Sequence, residues 1–357
     1  MKTWLKIVCI ALLAYTVISS LWHPLAPGGL TVDIEKIQPG PNTFTFTGYN
    51  THFVDDRGSL QVFVASGSTY FCATVDEVID NNHVKVTTTL PDTLPSKEIS
   101  FYSNTNTDGT VYIQKPIDSR SFAFVDGFAP ASSCSPKVLH DEHQNFGYPF
   151  QVIIFESIRN LMWHVPMWFT MFALMLISFI QSIKILNQAG REAKADVAMD
   201  FSKIKLFDTK AASSAGTGLV FCILGLITGS IWARFTWGDW WTNDPQLNGA
   251  MVVFLMYVAY FILRNSVNDE EKKARLAAIF NIFAFILLVV LLMVMPRFAE
   301  GLHPGKSGNP AFSSYDLDSS LRMVFYPACA GFILLGIWLY NLNFRIKRLE
   351  QENENND

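Results

Sequence analysis

Between two apolar segments of this chain lies the sequence Trp237-Gly238-Asp239-Trp240-Trp241-Thr242-Asn243-Asp244-Pro245. Four of the nine tryptophans fall between Trp232 and Trp241, so the aromatic residues are concentrated at the end of one apolar segment. Tryptophan clusters at a membrane edge either anchor a protein in the headgroup layer or offer a flat aromatic surface to a flat ligand. The loop therefore indicates a membrane protein, and its flanking segments are candidate transmembrane helices.

Six apolar runs approach or reach the roughly 20 residues that a helix needs to cross a bilayer. They cover residues 4–21, 165–186, 211–232, 248–264, 275–296 and 323–342. Half of the 357 residues are hydrophobic and only 16% are charged. The sequence predicts an α-helical integral membrane protein with about six transmembrane helices and an inserted all-β extracytoplasmic domain. The net charge of −4 gives no reason to expect nucleic acid as a partner.

Basic residues predict the orientation of these spans, because Lys and Arg concentrate on the cytoplasmic side. One side carries Lys184, Arg191, Lys194, Lys203, Lys205, Lys210, Arg264, Lys272, Lys273, Arg275, Arg345, Lys347 and Arg348. The short segments of the opposite side carry Arg159, Arg234, Arg297, Lys306 and Arg322. Both termini are therefore predicted to be cytoplasmic, and residues 22–164, the tryptophan loop and residues 297–322 to face outward. Residues 1–22 are interpreted as an uncleaved transmembrane anchor, with a cleaved signal peptide as the alternative.

Residues 23–145 have the pattern of β structure. Residues 43–47 alternate strictly between Thr and Phe, as a half-buried strand does. Further short runs of this kind, separated by turn sequences, cover residues 60–64, 70–75, 83–86, 99–102, 111–113 and 122–125. This spacing predicts an extracytoplasmic β-sandwich-like domain, with a small barrel as the other architecture. Cys72 and Cys134 either pair in an oxidising compartment or stay reduced.

The remaining residues, 146–350, are predicted to form the transmembrane domain that carries the chemistry, with its tryptophan loop at 232–246. Residues 151–163 predict an amphipathic helix lying at the outer interface. His164 follows at the outward mouth of the second span, where Pro166 is compatible with a helix start. His303 lies in the outward loop between the fifth and sixth spans.

Both histidines are predicted to emerge on the same face as the tryptophan loop, although each alone is more often an interface or packing residue. Two neutral imidazoles can bind iron from opposite sides of a porphyrin, while tryptophans cover its apolar face. Asp239 and Asp244 are interpreted as loop hydrogen-bonding residues, and the Gly225–Gly229 spacing as helix packing. Outward arginines that could pair with propionates, or equally with lipid headgroups, are Arg159, Arg234, Arg297 and Arg322.

The segment from Gly229 to Asp244 resembles the tryptophan-rich WWD signature of the haem-handling membrane proteins of cytochrome c biogenesis. Within the CcmC, CcmF and CcsA family it is most similar to the CcmC branch, whose R-x-x-Y-x-H-V-P segment resembles Arg159–Pro166. Leu302-His303 resembles the second histidine loop of that branch, and Leu321-Arg322 also fits it. The chain departs from the pattern at Asn243, where a third tryptophan is usual, and in its large outward domain.

The resemblance implies a multi-pass protein of the bacterial inner membrane with a periplasmic β-domain and transiently bound b-type haem. It implies that His164 and His303 are the axial ligands and that no residue is catalytic. The other implied haem contacts are Trp237, Gly238, Trp240, Trp241, Asp244, Arg159, Arg234 and Arg322. Haem would pass to a periplasmic haem chaperone beside the ABC transporter subunits of the maturation system, with apocytochrome c and the lipid bilayer as further partners.

Three alternatives stay open. A synthase of the related system II type would attach haem to apocytochrome thiols, but none of the seven histidines falls in the middle of a span. An electron-transfer cytochrome would carry pairs of histidines within its helices. A membrane-anchored receptor would work through the β-domain, yet one span would suffice as its anchor. The sequence therefore favours a haem transfer protein over an enzyme.

Overall fold

A computed structural model describes residues 1–114, 117, 119–125, 147–152, 154–195, 201–303, 317 and 319–354. The chain divides into two compact units. The helical unit comprises Met1–Trp22 together with Ser157–Asp357, and the β unit comprises His23–Glu156. The boundary predicted at residues 145–146 and the half-cystine candidate Cys134 lie outside the described residues.

Among its described residues, the helical unit contains six helices that are long and apolar enough to cross a membrane. Its helices are α1 (Thr3–Trp22), α2 (Leu161–Ala195), α3 (Phe201–Trp237), α4 (Pro245–Ser266), α5 (Glu270–Val289), α6 (Met295–Phe298) and α7 (Ser319–Glu354). Helix α6 is a single turn that continues α5, so the two together make the fifth span. The prediction of about six apolar spans is confirmed by length and composition.

Aspartate caps begin two of these helices. The Asp244 side chain accepts hydrogen bonds from the N–H groups of Gln246 and Leu247 at the start of α4, and Pro245 occupies the first helical turn. Asp269 accepts from the N–H of Lys272 at the start of α5. A carboxylate satisfies N–H groups that have no partner within the helix, and it interacts favourably with the positive end of the helix dipole.

Polar side chains join the helices inside the apolar bundle. Asn281 of α5 donates to Ser178 and Ser182 of α2 at 2.7 and 2.8 Å, and Ser178 donates to the Ala211 carbonyl of α3. Such hydrogen bonds hold spans together where lipid provides no hydrophobic force between them. Arg264 of α4 forms a bidentate ion pair with Asp208 of α3, at 2.6 and 2.7 Å.

Three helices are longer than a bilayer requires: α2, α3 and α7 have 35, 37 and 36 residues. Their ends opposite the tryptophan loop remain packed. Ile185 and Ala189 of α2 form a buried cluster with Ile204 of α3 and with Ala274 and Ala278 of α5. These helices therefore continue beyond the predicted apolar spans at this end, and the surplus turns carry polar residues that hydropathy excludes from a span.

The fifth span contains one π-helical turn, Val290–Val294, followed by Pro296 in α6. A proline lacks the N–H that would continue the helical ladder, and π turns accommodate such local irregularity. Gly249 of α4 faces this turn so closely that a Cβ there would lie 2.9 Å from the Leu291 carbonyl oxygen. The turn therefore packs against α4 just before the chain leaves for the His303 loop.

The segment before α2 differs from the predicted interfacial helix at 151–163. Residues Phe155–Asn160 form a 3₁₀ helix, and α2 begins at Leu161, so His164 and Pro166 both lie inside α2. The expectation of a helix start at Pro166 was wrong. A proline this close to an N-terminus removes only one hydrogen bond of the ladder, so the helix continues through it.

Most described strands of the β unit form one curled antiparallel sheet. Its seven strands are β1 (Gly28–Val32), β2 (Gly40–Tyr49), β3 (Gln61–Ser66), β4 (Thr69–Val78), β5 (His83–Leu90), β7 (Ile99–Thr105) and β8 (Gly109–Gln114), in the order β1-β2-β5-β4-β3-β7-β8. A separate parallel pair joins β6 (Thr93–Leu94) to β9 (Ala123–Phe124). Within the β unit, β1 also approaches β8, since a Cβ on Gly29 would lie 2.7 Å from the Tyr112 carbonyl oxygen.

This closure makes the sheet barrel-like rather than sandwich-like, so the barrel alternative is the better description. The inward faces of the strands share one core that includes Phe44, Phe46, Val64, Phe71 and Phe101. Cys72 takes part in a disulfide bond. Its pairing with Cys134 stays a prediction.

Candidate functional site

His164 lies in the first turn of α2 with its ring against α3. Its Nδ1 lies 3.1 Å from the Thr228 hydroxyl oxygen, and Asn160, one turn earlier, donates to the Thr228 carbonyl at 2.9 Å. The imidazole meets Trp168 and Trp232 edge to face, with ring centroids 6.1 and 5.8 Å away. The histidine is therefore set between two tryptophans at the tryptophan-rich end of α3.

Two glycines of α3 make room for this arrangement. A Cβ on Gly229 would lie 2.7 Å from Cε1 of His164, and one on Gly225 would lie 2.9 Å from Cε2 of Trp168. Real Cβ atoms do not approach other atoms this closely. The Gly225–Gly229 spacing was interpreted only as helix packing, and the side chains that it admits are a histidine and a tryptophan.

His303 is held by Asp244. Its Nδ1 lies 2.9 Å from Oδ1 of Asp244, and the neighbouring N–H of Leu302 donates to Oδ2 at 2.6 Å. The ring of Trp237 packs edge to face against the imidazole at 5.0 Å. The last residue of α3, Trp237, and the cap of α4, Asp244, therefore both contact His303.

The Asp244 carboxylate is buried, with 1% of its side chain exposed, and it accepts hydrogen bonds from four groups. Burial raises its pKa, but the hydrogen bonds from His303 and Leu302 outweigh burial and hold the pKa well below the usual range. The carboxyl group is therefore ionised at neutral pH. Its stabilising contribution is present above about pH 4 and is lost as the pH falls toward its own lower pKa.

These contacts define the protonation of both imidazoles. An ionised carboxylate can only accept, so Nδ1 of His303 carries the proton. The Thr228 hydroxyl has a backbone acceptor in the Leu224 carbonyl at 2.8 Å, and with its proton placed there it accepts from Nδ1 of His164. Each ring then carries its lone pair on Nε2, the form in which a neutral histidine binds a metal.

The tryptophan loop is shorter than the predicted 232–246, because α3 continues to Trp237 and α4 begins at Pro245. Gly238 turns the chain at a φ of +87°, and its carbonyl accepts a hydrogen bond from Arg234. Asn248 of α4 connects two loop residues, accepting from Trp241 Nε1 at 3.3 Å and donating to Asn243 at 2.8 Å. Asn243, the departure from the tryptophan pattern, therefore fixes the loop.

The tryptophans differ in exposure. Trp240 is 60% exposed and Trp241 37%, which leaves an aromatic surface open to a ligand. Trp232 lies deeper, and among the described residues its buried Nε1 has no hydrogen-bond partner. A buried N–H without a partner beside His164 suits a polar group of a ligand.

Three of the four candidate arginines donate hydrogen bonds to backbone carbonyls. Arg159 donates to the Ser20 carbonyl of α1 at 2.7 Å, Arg234 to Gly238, and Arg297 to the Met293 carbonyl of its own helix at 3.2 Å. Arg322 of α7 has a buried Nε without a partner in the part of the chain that the structure describes. Arg322 is therefore the arginine whose guanidinium offers a donor that the protein leaves unused.

Several residues of this site were missed by sequence reasoning. Thr228, Trp168 and Asn248 carry no signal of their own, because a threonine or asparagine in a helix end is common. Trp232 stood within the predicted loop but was not predicted as a contact. Within the described residues no three His, Cys, Asp or Glu side chains cluster as a metal centre does. Two histidines can fill both axial positions of a porphyrin iron.

A profile of the family described as "Cytochrome C assembly protein" matches residues 122–303. The chain belongs to this family. The matched segment includes His164, the tryptophan loop and, as its last residue, His303. This cytochrome c assembly protein also has six apolar helices, so it is a multi-pass membrane protein.

Several relatives are named Heme exporter protein C. That of Paracoccus denitrificans is 30% identical over 135 residues, covering 38% of this chain and 56% of the relative. That of Haemophilus influenzae is 26% identical over 185 residues, covering 51% and 73%. The Cytochrome c biogenesis protein CcsA of Prochlorococcus marinus is 29% identical over 127 residues, covering 35% and 39%.

The chain thus spans about half the length of the first of these relatives. The prediction that the chain belongs to the cytochrome c assembly family is confirmed.

Proposed function

We propose that this protein binds haem at the outer membrane face between His164 and His303 and hands it to a periplasmic haem chaperone. The observation that carries the proposal is that both imidazoles, at one end of α3, have Nδ1 hydrogen-bonded and Nε2 available. Haem supplies an iron with two axial positions, two apolar faces and two propionates. The exposed rings of Trp240 and Trp241 suit the porphyrin, and Arg322 suits a propionate.

The haem in this proposal is b-type and transient cargo, since two histidines bind it without a covalent bond. The protein is then a transfer protein rather than an enzyme. The remaining proposed contacts come from Trp237 and Asp244, which support His303, and from Gly238, Arg234 and Arg159, which hold the loop and α2. In this arrangement Arg159 and Arg234 support the site through backbone carbonyls rather than through propionates.

We further propose a bacterial inner-membrane location, with both termini cytoplasmic and the β unit periplasmic. The distribution of basic residues supports this orientation. The names of the relatives support partnership with the ABC transporter subunits of a haem export system. Domains 1–22, 23–145 and 146–350 are proposed as anchor, periplasmic domain and haem-handling domain, and the β unit as a docking aid for the chaperone or apocytochrome c.

The visible absorption spectrum of the protein, purified from cells that supply haem, tests the proposal. The expected result is a low-spin spectrum of iron with two axial histidines. Addition of apo-chaperone should then move the haem to the chaperone, as size separation and the spectrum of each fraction would show. A protein that carries no haem under these conditions, and takes up none on titration, contradicts the proposal.

A haem-attaching synthase is the second candidate, because one relative carries the CcsA name. The two functions differ in their product. A synthase forms thioether bonds to apocytochrome thiols, which survive acid–acetone extraction, whereas a transfer protein leaves haem extractable. Incubation of the haem-loaded protein with reduced apocytochrome c distinguishes them. We expect extractable haem.

Gly229→Ala should weaken haem binding, because the added Cβ would displace the His164 ring. We expect about a tenfold loss of affinity in a haem titration, similar to the loss of a ligand's supporting contact. Gly216→Ala is the matched control on the same helix, since its nearest neighbour, Phe261, would lie at an ordinary 3.5 Å. Equal affinities of the two variants would mean that the His164 ring position does not affect binding.

A further inference from the structure

We infer that the two histidines hold haem iron unequally: Asp244 makes His303 the stronger ligand, and His164 is the ligand that yields first at hand-over. The inference rests on the proposed function and adds the order in which the protein releases its cargo. It assigns Asp244 as a positioning residue that acts through His303, and Thr228 as the weaker counterpart that acts through His164.

The partner of His303 is an anion in a buried site. Oδ1 of Asp244 lies 2.9 Å from Nδ1, and only 1% of the Asp244 side chain is exposed. A hydrogen bond to a carboxylate is roughly twice as strong as one between neutral groups. It draws the proton away from the ring, so Nε2 becomes a more basic ligand. The Leu302 N–H bond to the other carboxylate oxygen keeps the carboxylate aligned with the ring.

The partner of His164 is neutral. The Thr228 hydroxyl accepts from Nδ1 at 3.1 Å while it donates to the Leu224 carbonyl. A hydroxyl fixes the orientation of the ring but adds little electron density to Nε2. One imidazole, that of His303, therefore has an anionic hydrogen-bond partner, and the other, that of His164, has a neutral one.

The two histidines also differ in how they can move. The His164 ring is enclosed by Gly229, Trp168 and Trp232 within packed helices, so it stays in place when iron is pulled away. His303 lies beyond the end of the fifth span, outside any helix. His164 has the weaker bond to iron and a ring that is fixed by its neighbours, so it separates from the iron first. His303 has the stronger bond to iron and lies outside any helix, so it moves with the iron. An incoming histidine would accordingly take the His164 position.

Single-histidine variants test this order by their haem affinities. His164→Ala retains His303, and His303→Ala retains His164. We expect the His164→Ala protein to bind haem about tenfold more tightly than the His303→Ala protein. Adding Asp244→Asn should remove this advantage in the His164→Ala background, and should change affinity less than threefold in the His303→Ala background. Asparagine is as good a helix cap as aspartate, so α4 keeps its start.

Asp269→Asn is the matched control, because Asp269 caps α5 in the same way but contacts no histidine in the described structure. It should leave both affinities unchanged. If Asp244→Asn loses helical circular dichroism, Asp244→Ser replaces it, since serine also caps without charge. The ferric–ferrous midpoint potential of the His164→Ala protein gives a second readout, and it should rise when Asp244 loses its charge.

The outcomes separate the inference from the proposed function. If neither the wild type nor a single-histidine variant binds haem, the proposed function fails and the inference with it. If both variants bind haem with equal affinity, or if Asp244→Asn affects both backgrounds alike, the proposed function stands and the inequality of the ligands is overturned.

Discussion

A protein carrying both His164→Ala and His303→Ala is expected to lose haem binding by more than 100-fold. Loss of a group that supports a metal ligand costs roughly 10- to 100-fold in affinity, and loss of both ligands must exceed that. In the proposed site, Nε2 of each imidazole is the atom that bonds to iron. Each single variant should retain haem with a high-spin spectrum in place of the low-spin one. Titration with haem, followed in the visible region, measures both effects.

His52→Ala is the matched control for this experiment. His52 of the β unit is also a histidine paired with a buried carboxylate, since its Nδ1 lies 2.7 Å from Asp108. Its replacement should leave the haem spectrum and affinity unchanged. If the double variant retained a low-spin spectrum, the iron ligands would lie elsewhere, and a His52 effect would direct the search to the β unit.

Asp208→Ala is expected to lower the free energy of unfolding by about 3–5 kcal/mol. Asp208 and Arg264 form a bidentate pair whose side chains are only 12% and 13% exposed. Removal of the carboxylate leaves the guanidinium buried without its partner, and that loss exceeds the net contribution of the intact pair. Denaturant unfolding in detergent, followed by circular dichroism, measures the change.

Two comparisons make this result specific. Glu352→Ala removes an ion pair with Arg348 whose side chains are more than half exposed, so it should cost only about 0.3–0.5 kcal/mol. The double variant Asp208→Leu/Arg264→Met replaces both charges with apolar groups and should recover most of the lost stability. A loss below about 1 kcal/mol for Asp208→Ala would show that Arg264 reaches water or lipid headgroups instead.

The spans were predictable because a backbone in lipid must satisfy its own hydrogen bonds, which makes apolar length a strong signal. The strands of the β unit were also predictable, since residues 43–47 alternate as a half-buried strand does. Whether such strands close into a barrel depends on how the first strand meets the last. The approach of Gly29 to β8 joins residues more than 80 positions apart, and no local pattern encodes it.

The candidate site was likewise only partly predictable from the sequence. His164, His303 and the tryptophans were predicted as site residues from their residue types and their predicted membrane side. The bond between Asp244 and His303 was not, because 59 residues separate them and an aspartate before a proline is sufficiently explained as a helix cap. Likewise, the spacing of Gly225 and Gly229 indicates a close approach, but it does not reveal that the approaching groups are Trp168 and His164.

Because α2, α3 and α7 are longer than the hydrocarbon layer is thick, one part of each helix lies in lipid and another part in water. A helix of 35–37 residues is roughly 52–56 Å long, whereas the hydrocarbon layer is about 30 Å thick. In the proposed orientation the tryptophan loop lies at the outer edge, so most of the excess projects from the opposite surface, where Ile185, Ile204 and Ala274 pack together. That end is stabilised by expulsion of water, while the lipid-embedded turns are not. The heat-capacity change of unfolding in this unit should therefore arise mainly from the projecting end.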